Sequence, residues 1–172
     1  MIATERLRLV PLSAELLEAI LGGGETPFAV PGGWPDEHDA GFLHLRLRQL
    51  RADPARERWP VFGIVLPETD ELVGHVGYHG PPGANARNDP SAVEVGYTVF
   101  PEHRRQGLAT EAVRALVDAA RTQGVERVVA SVSPKNEPSL RLVRGLGFVE
   151  VGRHWDDEDG EELELVLDVS RG

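Results

Sequence analysis

Apolar and polar residues change their spacing several times along the chain, and each change marks a new element. Near-alternation over residues 2–10 predicts a first strand. Ser13 can cap a helix over residues 14–21, which the three glycines at 22–24 end. A second, partly exposed helix is predicted over residues 36–52, after a loop rich in proline and glycine.

Beyond Pro60 the pattern changes to short, strand-like runs. Three strands are predicted, over residues 61–66, 72–78 and 93–100. Residues 67–71 have the length of a hairpin connector, so we expect the first two of these strands to pair directly.

The second half of the chain alternates helix and strand. A helix is predicted from about Gly107 to Gln123, and one apolar face of it consists of Leu108, Ala112, Val113, Leu116, Val117 and Ala120. A strand at 128–132, a helix at 139–146 and two closing strands at 148–155 and 163–169 follow. Strand, helix and strand around Gly107 indicate a parallel crossover inside an otherwise antiparallel sheet. The pattern therefore predicts a mixed α/β fold.

Composition narrows the class of protein. A length of 172 residues predicts one domain, and the absence of cysteine excludes disulfide scaffolds, thiolate metal sites and cysteine nucleophiles. A formal net charge of −10 disfavours nucleic acid as a partner. No apolar run reaches the length of a membrane span, and the charged amino terminus is unlike a signal peptide. We therefore expect a soluble, cytoplasmic protein.

The turn between the strand at 93–100 and the following helix has the features of an anion site. It reads Arg104-Arg105-Gln106-Gly107-Leu108-Ala109. A helix start presents unpaired N–H groups and the positive end of the helix dipole. Gly107 and Ala109 lack bulk where a phosphate would approach the backbone, and the two arginines add positive charge. This turn is predicted to accommodate a pyrophosphate.

A second segment, about thirty residues later, reads Asn136-Glu137-Pro138-Ser139 and leads into the short helix and Gly147-Phe148. Asn136 can donate and accept hydrogen bonds near a strand end, and Ser139 can cap the helix that follows. Gly147 is expected to end the helix and Phe148 to enter the core.

These two segments resemble the cofactor motifs of the GCN5-related N-acetyltransferase (GNAT) superfamily, Arg/Gln-x-x-Gly-x-Gly/Ala and Asn-x-x-Ser. The opening from Thr4 to Leu12 resembles the branch that includes the ribosomal-protein alanine acetyltransferases. The resemblance implies a single N-acetyltransferase domain over residues 1–172. Its fold would be α/β (α+β), a mixed, mostly antiparallel sheet flanked by helices.

The resemblance also implies an activity: direct transfer of an acetyl group from acetyl-CoA, the cosubstrate, to a primary amine, without a metal. Backbone N–H groups of Tyr97, Thr98 and Val99 would bind the pantetheine arm and polarise the thioester carbonyl. The remaining cofactor-binding positions carried over from the motifs are Arg104, Arg105, Gln106, Gly107, Leu108, Ala109, Thr110, Asn136 and Ser139.

Attack by an amine needs a base, and Glu94 is the candidate. Strand alternation puts Glu94 on the face of Gly96 and Thr98, although it could equally be a solvent-facing strand residue. His79 is the alternative base. The superfamily's usual acid is a tyrosine in the second segment, which this chain lacks; Ser139 is the substitute donor seen in the resembling branch.

Several points stay open at the level of sequence. The acceptor is a peptide amino terminus or a small molecule, and a non-catalytic acyl-CoA-binding or regulatory domain is the alternative function. The acidic connector at 156–162 is expected to be a solvated hairpin, or else to draw cationic amines toward a cleft. Trp34, Trp59 and Trp155 serve as core and loop anchors or line a substrate pocket, and strand edges permit a homodimer.

Overall fold

The computed structural model describes residues 1–170, which form one eight-stranded sheet with helices packed against both faces. The elements in chain order are β1 Ile2–Ala3, β2 Arg8–Pro11, α1 Ala14–Gly22, α2 Glu37–Ala52, β3 Val61–Leu66, β4 Glu71–Tyr78, β5 Ala92–Val99, α3 Leu108–Thr122, β6 Arg127–Val132, α4 Glu137–Gly145, β7 Val149–Asp156 and β8 Gly160–Asp168. Two short 3-10 turns, Pro54–Arg58 and Pro101–His103, complete them.

The strand order is β1-β2-β3-β4-β5-β6-β8-β7, and the pair β5–β6 is the parallel one among the described residues. All other neighbours pair antiparallel. The parallel pair arises because α3 carries the chain from the end of β5 back to the start of β6. The predicted crossover and the mixed, mostly antiparallel sheet are therefore confirmed.

The first predicted strand is wrong in one respect, because residues 2–10 form two short strands. Thr4 N donates to Leu7 O at 2.9 Å, and Leu7 N donates to Thr4 Oγ1 at 3.0 Å. This tight turn folds β1 back onto β2, with Ile2 opposite Leu9. The alternating pattern continues through the turn, so spacing alone did not reveal it.

Each face of the sheet has its own apolar core. All six residues of the predicted apolar face of α3 are buried, and they join the larger cluster with Val93, Val95 and Val128. Helices α1 and α2 cover the other face, where Leu17, Leu43 and neighbours form a second cluster. Both faces of the central strands are therefore covered by helices, which leaves the gap between neighbouring strands as the place for a ligand cavity in the sheet.

Two helix caps differ in how well they were predicted. The Ser13 side chain accepts from Leu16 N and caps α1, as expected. In α4, however, Ser139 is not the cap. The helix begins at Glu137, and Asn136 Oδ1 accepts from Ser139 N at 3.2 Å. Ser139 therefore lies in the first turn, with its hydroxyl left for other partners.

The carboxyl-terminal hairpin confirms the expected connector: β7 ends at Asp156 and β8 begins at Gly160, with φ +77° at that glycine. Trp155 on this hairpin is 74% exposed, whereas Trp59 is buried and Trp34 packs against the second cluster. Helices long and apolar enough to cross a membrane are absent from residues 1–170.

Candidate functional site

The site forms where the two parallel strands separate. β5 and β6 pair only from Ala92 and Arg127 to Glu94 and Val129. Beyond that point β5 continues to Val99 beside β4, while β6 continues to Val132 beside β8. The result is a wedge-shaped cleft in the middle of the sheet, with one strand edge of β5 open along its wall.

The open edge presents backbone N–H groups to this cleft. Phe100 N donates to Val73 O, and Glu94 O accepts from His79 N, so the backbone groups of even-numbered residues face β4. Successive peptide groups point to opposite edges of a strand. The N–H groups of Tyr97 and Val99 therefore face the cleft, and that of Thr98 faces β4.

Two adjoining cavities, of about 430 Å³ and 490 Å³, occupy the cleft and its mouth. Both are bordered by Val95, Gly96, Ser131, Asp159 and Glu162. The first extends past Glu94 and His79 toward the loop at residues 84–86 and the hairpin. The second extends past Tyr97 to Asn136 and Ser139 on α4. Glu94 and Ser139 thus lie on the two sides of one continuous opening.

Glu94 is buried, with 3% of its surface exposed, so it is not a solvent-facing strand residue. Its Oε1 accepts from the Ser131 hydroxyl and its Oε2 from Ala86 N, both at 2.6 Å. These two donors fix the orientation of the carboxylate. A buried, oriented carboxylate bordering a cavity is suited to binding or deprotonating a cationic group.

His79 stands next to Glu94 at the same cavity. Its Nδ1 lies 3.6 Å from Glu94 Oε1, and its side chain is 52% exposed. Gly96 makes room for the ring, since a Cβ there would be 3.0 Å from His79 Nε2. Arg46 of α2 fixes this strand end by donating to the carbonyls of His79 and Tyr78 at 2.8 and 2.6 Å.

The hairpin contributes an acidic wall that the motifs did not reveal. Asp156, Asp159 and Glu162 border the first cavity. Burial raises the pKa of Glu162, the neighbouring His154 opposes this rise, and nearby carboxylates add to it. His154 bridges Glu162 and Glu164, with nitrogen–oxygen distances of 3.1 Å on both sides. The run of acidic residues at 156–162 was the available signal, but its position beside Glu94 depends on how the hairpin folds back.

The predicted anion turn has the required backbone conformation. Gly107, with φ +76°, precedes α3, and no side chain caps that helix. The first N–H groups of α3 at Leu108, Ala109 and Thr110 therefore lack partners within the helix. A Cβ at Gly107 would lie 3.3 Å from Arg6 Nη2. A side chain at this position would therefore crowd the space beside the turn, which glycine leaves free. A diphosphate fits such an uncapped, cationic turn.

The side chains of the turn have different surroundings. Arg104 Nε donates to Val99 O at 2.8 Å, and Arg105 is exposed with a left-handed φ of +64°. Gln106 O accepts from Arg6 Nη1 at 2.8 Å, which ties the turn to the amino-terminal segment. Leu108 is buried in the core, so only its backbone can meet a ligand.

On the α4 side, Tyr97, Asn136 and Ser139 border the second cavity together. Asn136 serves the helix cap, whereas Ser139 and Tyr97 bring hydroxyl groups. The tryptophans are absent from the lining of both cavities in the described part of the chain.

The structure thus combines a mixed sheet that splits between two parallel strands with an anion turn at the head of the crossover helix. The acetyltransferase (GNAT) domain model matches residues 6–149. The chain belongs to this family.

Curated relatives and a solved structure agree with this assignment. The "Uncharacterized N-acetyltransferase p20" of Bacillus licheniformis is 32% identical over 62% of this chain and 58% of its own length. The "Uncharacterized N-acetyltransferase YoaA" of Bacillus subtilis is 38% identical over 55% of this chain and 50% of its own. The chain thus spans about half the length of these two relatives. A solved structure assigned to the GnaT acetyltransferase family, from Bordetella pertussis, is 26% identical, with a TM-score of 0.70 over 96% of this chain and 97% of that one.

Proposed function

We propose that this protein transfers the acetyl group of acetyl-CoA directly to a primary amine. One observation carries the proposal: β5 holds a buried, oriented carboxylate, Glu94, in the cleft beside β6 and then leads through a short turn into the uncapped start of α3. A coenzyme with a diphosphate and a long flexible arm matches the two ends of this cleft. The amine acceptor matches the acidic end.

The coenzyme would be held mainly by backbone. The first turn of α3 and Gly107 receive the diphosphate, with Arg104 and Arg105 adding charge. The N–H groups of Tyr97 and Val99 bind the arm and donate to the thioester oxygen as negative charge develops. Each such donor contributes about 3 kcal/mol to lowering the barrier. Asn136 and Ser139 border the same space.

The chemistry then needs three proton transfers. Glu94 accepts a proton from the ammonium group, directly or through a water molecule, and the free amine attacks the thioester carbonyl. The carbon–nitrogen bond forms, the nitrogen releases its second proton to solvent, the carbon–sulfur bond breaks, and the electron pair of that bond goes to sulfur. Ser139 is the nearby donor on the α4 side for the departing thiolate. His79 is the second candidate base, since its ring lies beside Glu94.

The lining of the first cavity favours a cationic acceptor. It contains Glu94, Asp156, Asp159 and Glu162, and no lysine or arginine from residues 1–170. An α-amino group, with a reference pKa near 8, needs less base strength than a lysine side chain near 10.4. Because the candidate bases are Glu94 and the exposed His79, peptide amino termini and small primary amines are the proposed acceptors.

A thiol-release assay with acetyl-CoA and three acceptor pools tests the proposal. The pools are amino-terminal peptides, lysine peptides with blocked termini, and small amines including polyamines and aminoglycosides. We expect turnover in the first or third pool. Turnover confined to blocked lysine peptides would contradict the acceptor assignment. Tight coenzyme binding with no turnover in any pool would favour a non-catalytic acyl-CoA-binding domain.

A further inference from the structure

The hydroxyl of Tyr97 is buried and has no hydrogen-bond partner among residues 1–170. A buried hydroxyl without a partner destabilises a fold, so such a group calls for an explanation. The other tyrosine, Tyr78 on the neighbouring strand, shows the usual arrangement: its hydroxyl donates to Leu116 O at 2.7 Å. Tyr97 therefore carries a polar group that the fold itself does not use.

The surroundings of Tyr97 connect it to the reacting end of the cleft. Tyr97 borders the second cavity together with Ser139. Burial raises the pKa of the Tyr97 phenol, and the Ser139 side chain opposes this rise. The phenol consequently keeps its proton at neutral pH, and Ser139 is the hydroxyl-bearing side chain of α4 that borders the same cavity.

Ser139 is a poor acid by itself, because loss of its proton leaves an alkoxide. A phenol is a stronger acid than an aliphatic hydroxyl, even where burial raises its pKa, so a tyrosine behind Ser139 makes the loss of the serine proton easier. Helix α4 has no tyrosine to donate a proton, and Tyr97 of β5 can supply that proton instead.

We propose that Tyr97 is a positioning and proton-relay residue that acts through Ser139, an inference that rests on the proposed acetyl transfer. As the carbon–sulfur bond breaks, the Ser139 hydroxyl proton passes to sulfur and the Tyr97 hydroxyl proton passes to Ser139 Oγ. The phenolate then regains a proton from solvent, so of the two protons that the amine nitrogen gives up, one is taken up again by the relay and one is released. The products are the amide and the free thiol.

Tyr97→Phe tests this relay, because it removes only the hydroxyl, and Tyr78→Phe is the matched control. We expect kcat of Tyr97→Phe to fall by about 100-fold. KM for acetyl-CoA and the calorimetric Kd of coenzyme A should stay unchanged. Its melting temperature should equal or exceed that of the wild type, since an unpartnered buried hydroxyl is lost. Tyr78→Phe should instead melt at a lower temperature and keep its kcat.

Ser139→Ala and the double variant complete the test. A shared relay predicts that the double variant is no slower than the slower single variant. Wild-type kcat in Tyr97→Phe, additive losses in the double variant, or a lower melting temperature in Tyr97→Phe would each overturn the relay while leaving acetyl transfer intact. No turnover by the wild type with any acceptor pool would instead refute the proposed function itself.

Discussion

Glu94 illustrates how much one residue's role depends on its neighbours in space. Strand alternation indicated its face, but a solvent-facing role was equally open. The structure surrounds its carboxylate with the Ser131 hydroxyl and Ala86 N, residues 37 and 8 positions away in the chain. Contacts over such separations are set by how β6 and the loop before β5 fold, so the sequence pattern could not resolve them.

Replacing Glu94 by glutamine should abolish most activity without unfolding the protein. The amide oxygen can still accept from Ala86 N, and the amide N–H can donate to Ser131 Oγ, so both partners stay satisfied. Loss of a general base typically slows turnover by about 100- to 10,000-fold. Thiol-release kinetics over a range of pH, beside a thermal melt, measure this effect. Full activity with an intact fold would move the base to His79 or to solvent.

The role of Gly107 could be predicted from the sequence, whereas the surroundings of the Tyr97 hydroxyl could not. The requirement for glycine at 107 was readable from the strand-to-helix pattern, and its φ of +76° agrees. Tyr97 was expected to contribute its backbone, and nothing in the spacing indicated that its hydroxyl would be buried without a partner beside Ser139. Side-chain surroundings of this kind depend on packing across β5 and α4.

At the scale of elements, long periodic segments were predicted well and their ends less well. Helix α3 was predicted over 107–123 and is observed over Leu108–Thr122. The turn at residues 4–7 and the cap of α4 were missed, because both depend on single hydrogen bonds from Thr4 and Asn136. The parallel crossover was predictable because connection length restricts topology.

Helix α2 is coupled to the site through Arg46, which is 7% exposed. Burial, with a smaller effect of nearby Arg56, lowers the pKa of Arg46 to about 10, so it remains charged at neutral pH. Arg46→Met should destabilise the fold by about 3 kcal/mol, because buried carbonyls at the end of β4 lose their donor. Urea unfolding measures this, with exposed Arg48→Met as the control. Equal stability of the two variants would contradict this role.

The loop that supplies Ala86 N is held to β6 by an ion pair. Arg127 Nε donates to Asp89 Oδ2 at 2.7 Å, and this bond, with help from Ser91, holds the pKa of Asp89 well below its usual range. A lowered folded pKa contributes stability above the unfolded pKa of about 3.9, and this contribution is lost as pH falls through the folded value.

Asp89→Asn should therefore be less stable than the wild type at neutral pH, and the difference should shrink as the solution is acidified below about pH 4. Denaturant unfolding at a series of pH values, with exposed Asp118→Asn as the control, measures this change. A difference that stays constant down to strongly acidic pH would exclude the ion pair as its cause.

At the scale of the whole molecule, charges of opposite sign are separated. The chain carries a net charge of −10, and the first cavity is lined by Glu94, Asp156, Asp159 and Glu162. The anion turn nevertheless presents Arg104, Arg105 and an uncapped helix start. At the level of sequence, the net charge disfavoured nucleic acid, the acidic connector left a cationic amine as one alternative, and the motif at 104–109 predicted the anion turn.

Salt should weaken acceptor binding in proportion to acceptor charge. Raising the ionic strength screens the attraction between the acidic cavity and a cation. We expect KM for a diamine to rise more steeply than KM for a monoamine of similar length, with kcat little changed. Steady-state kinetics at low and high ionic strength measure this; identical salt dependence for both amines would show that the acidic wall does not bind the acceptor.

The central claim is that the split between β5 and β6 and the turn before α3 form a coenzyme A site. Calorimetry of coenzyme A binding to wild type, Gly107→Val and Gly124→Val tests it most directly. Both glycines have positive φ, +76° and +83°, at the two ends of α3, so both substitutions strain the backbone alike. The account predicts strong loss of binding in Gly107→Val alone. Equal affinity of wild type and Gly107→Val for coenzyme A would contradict it.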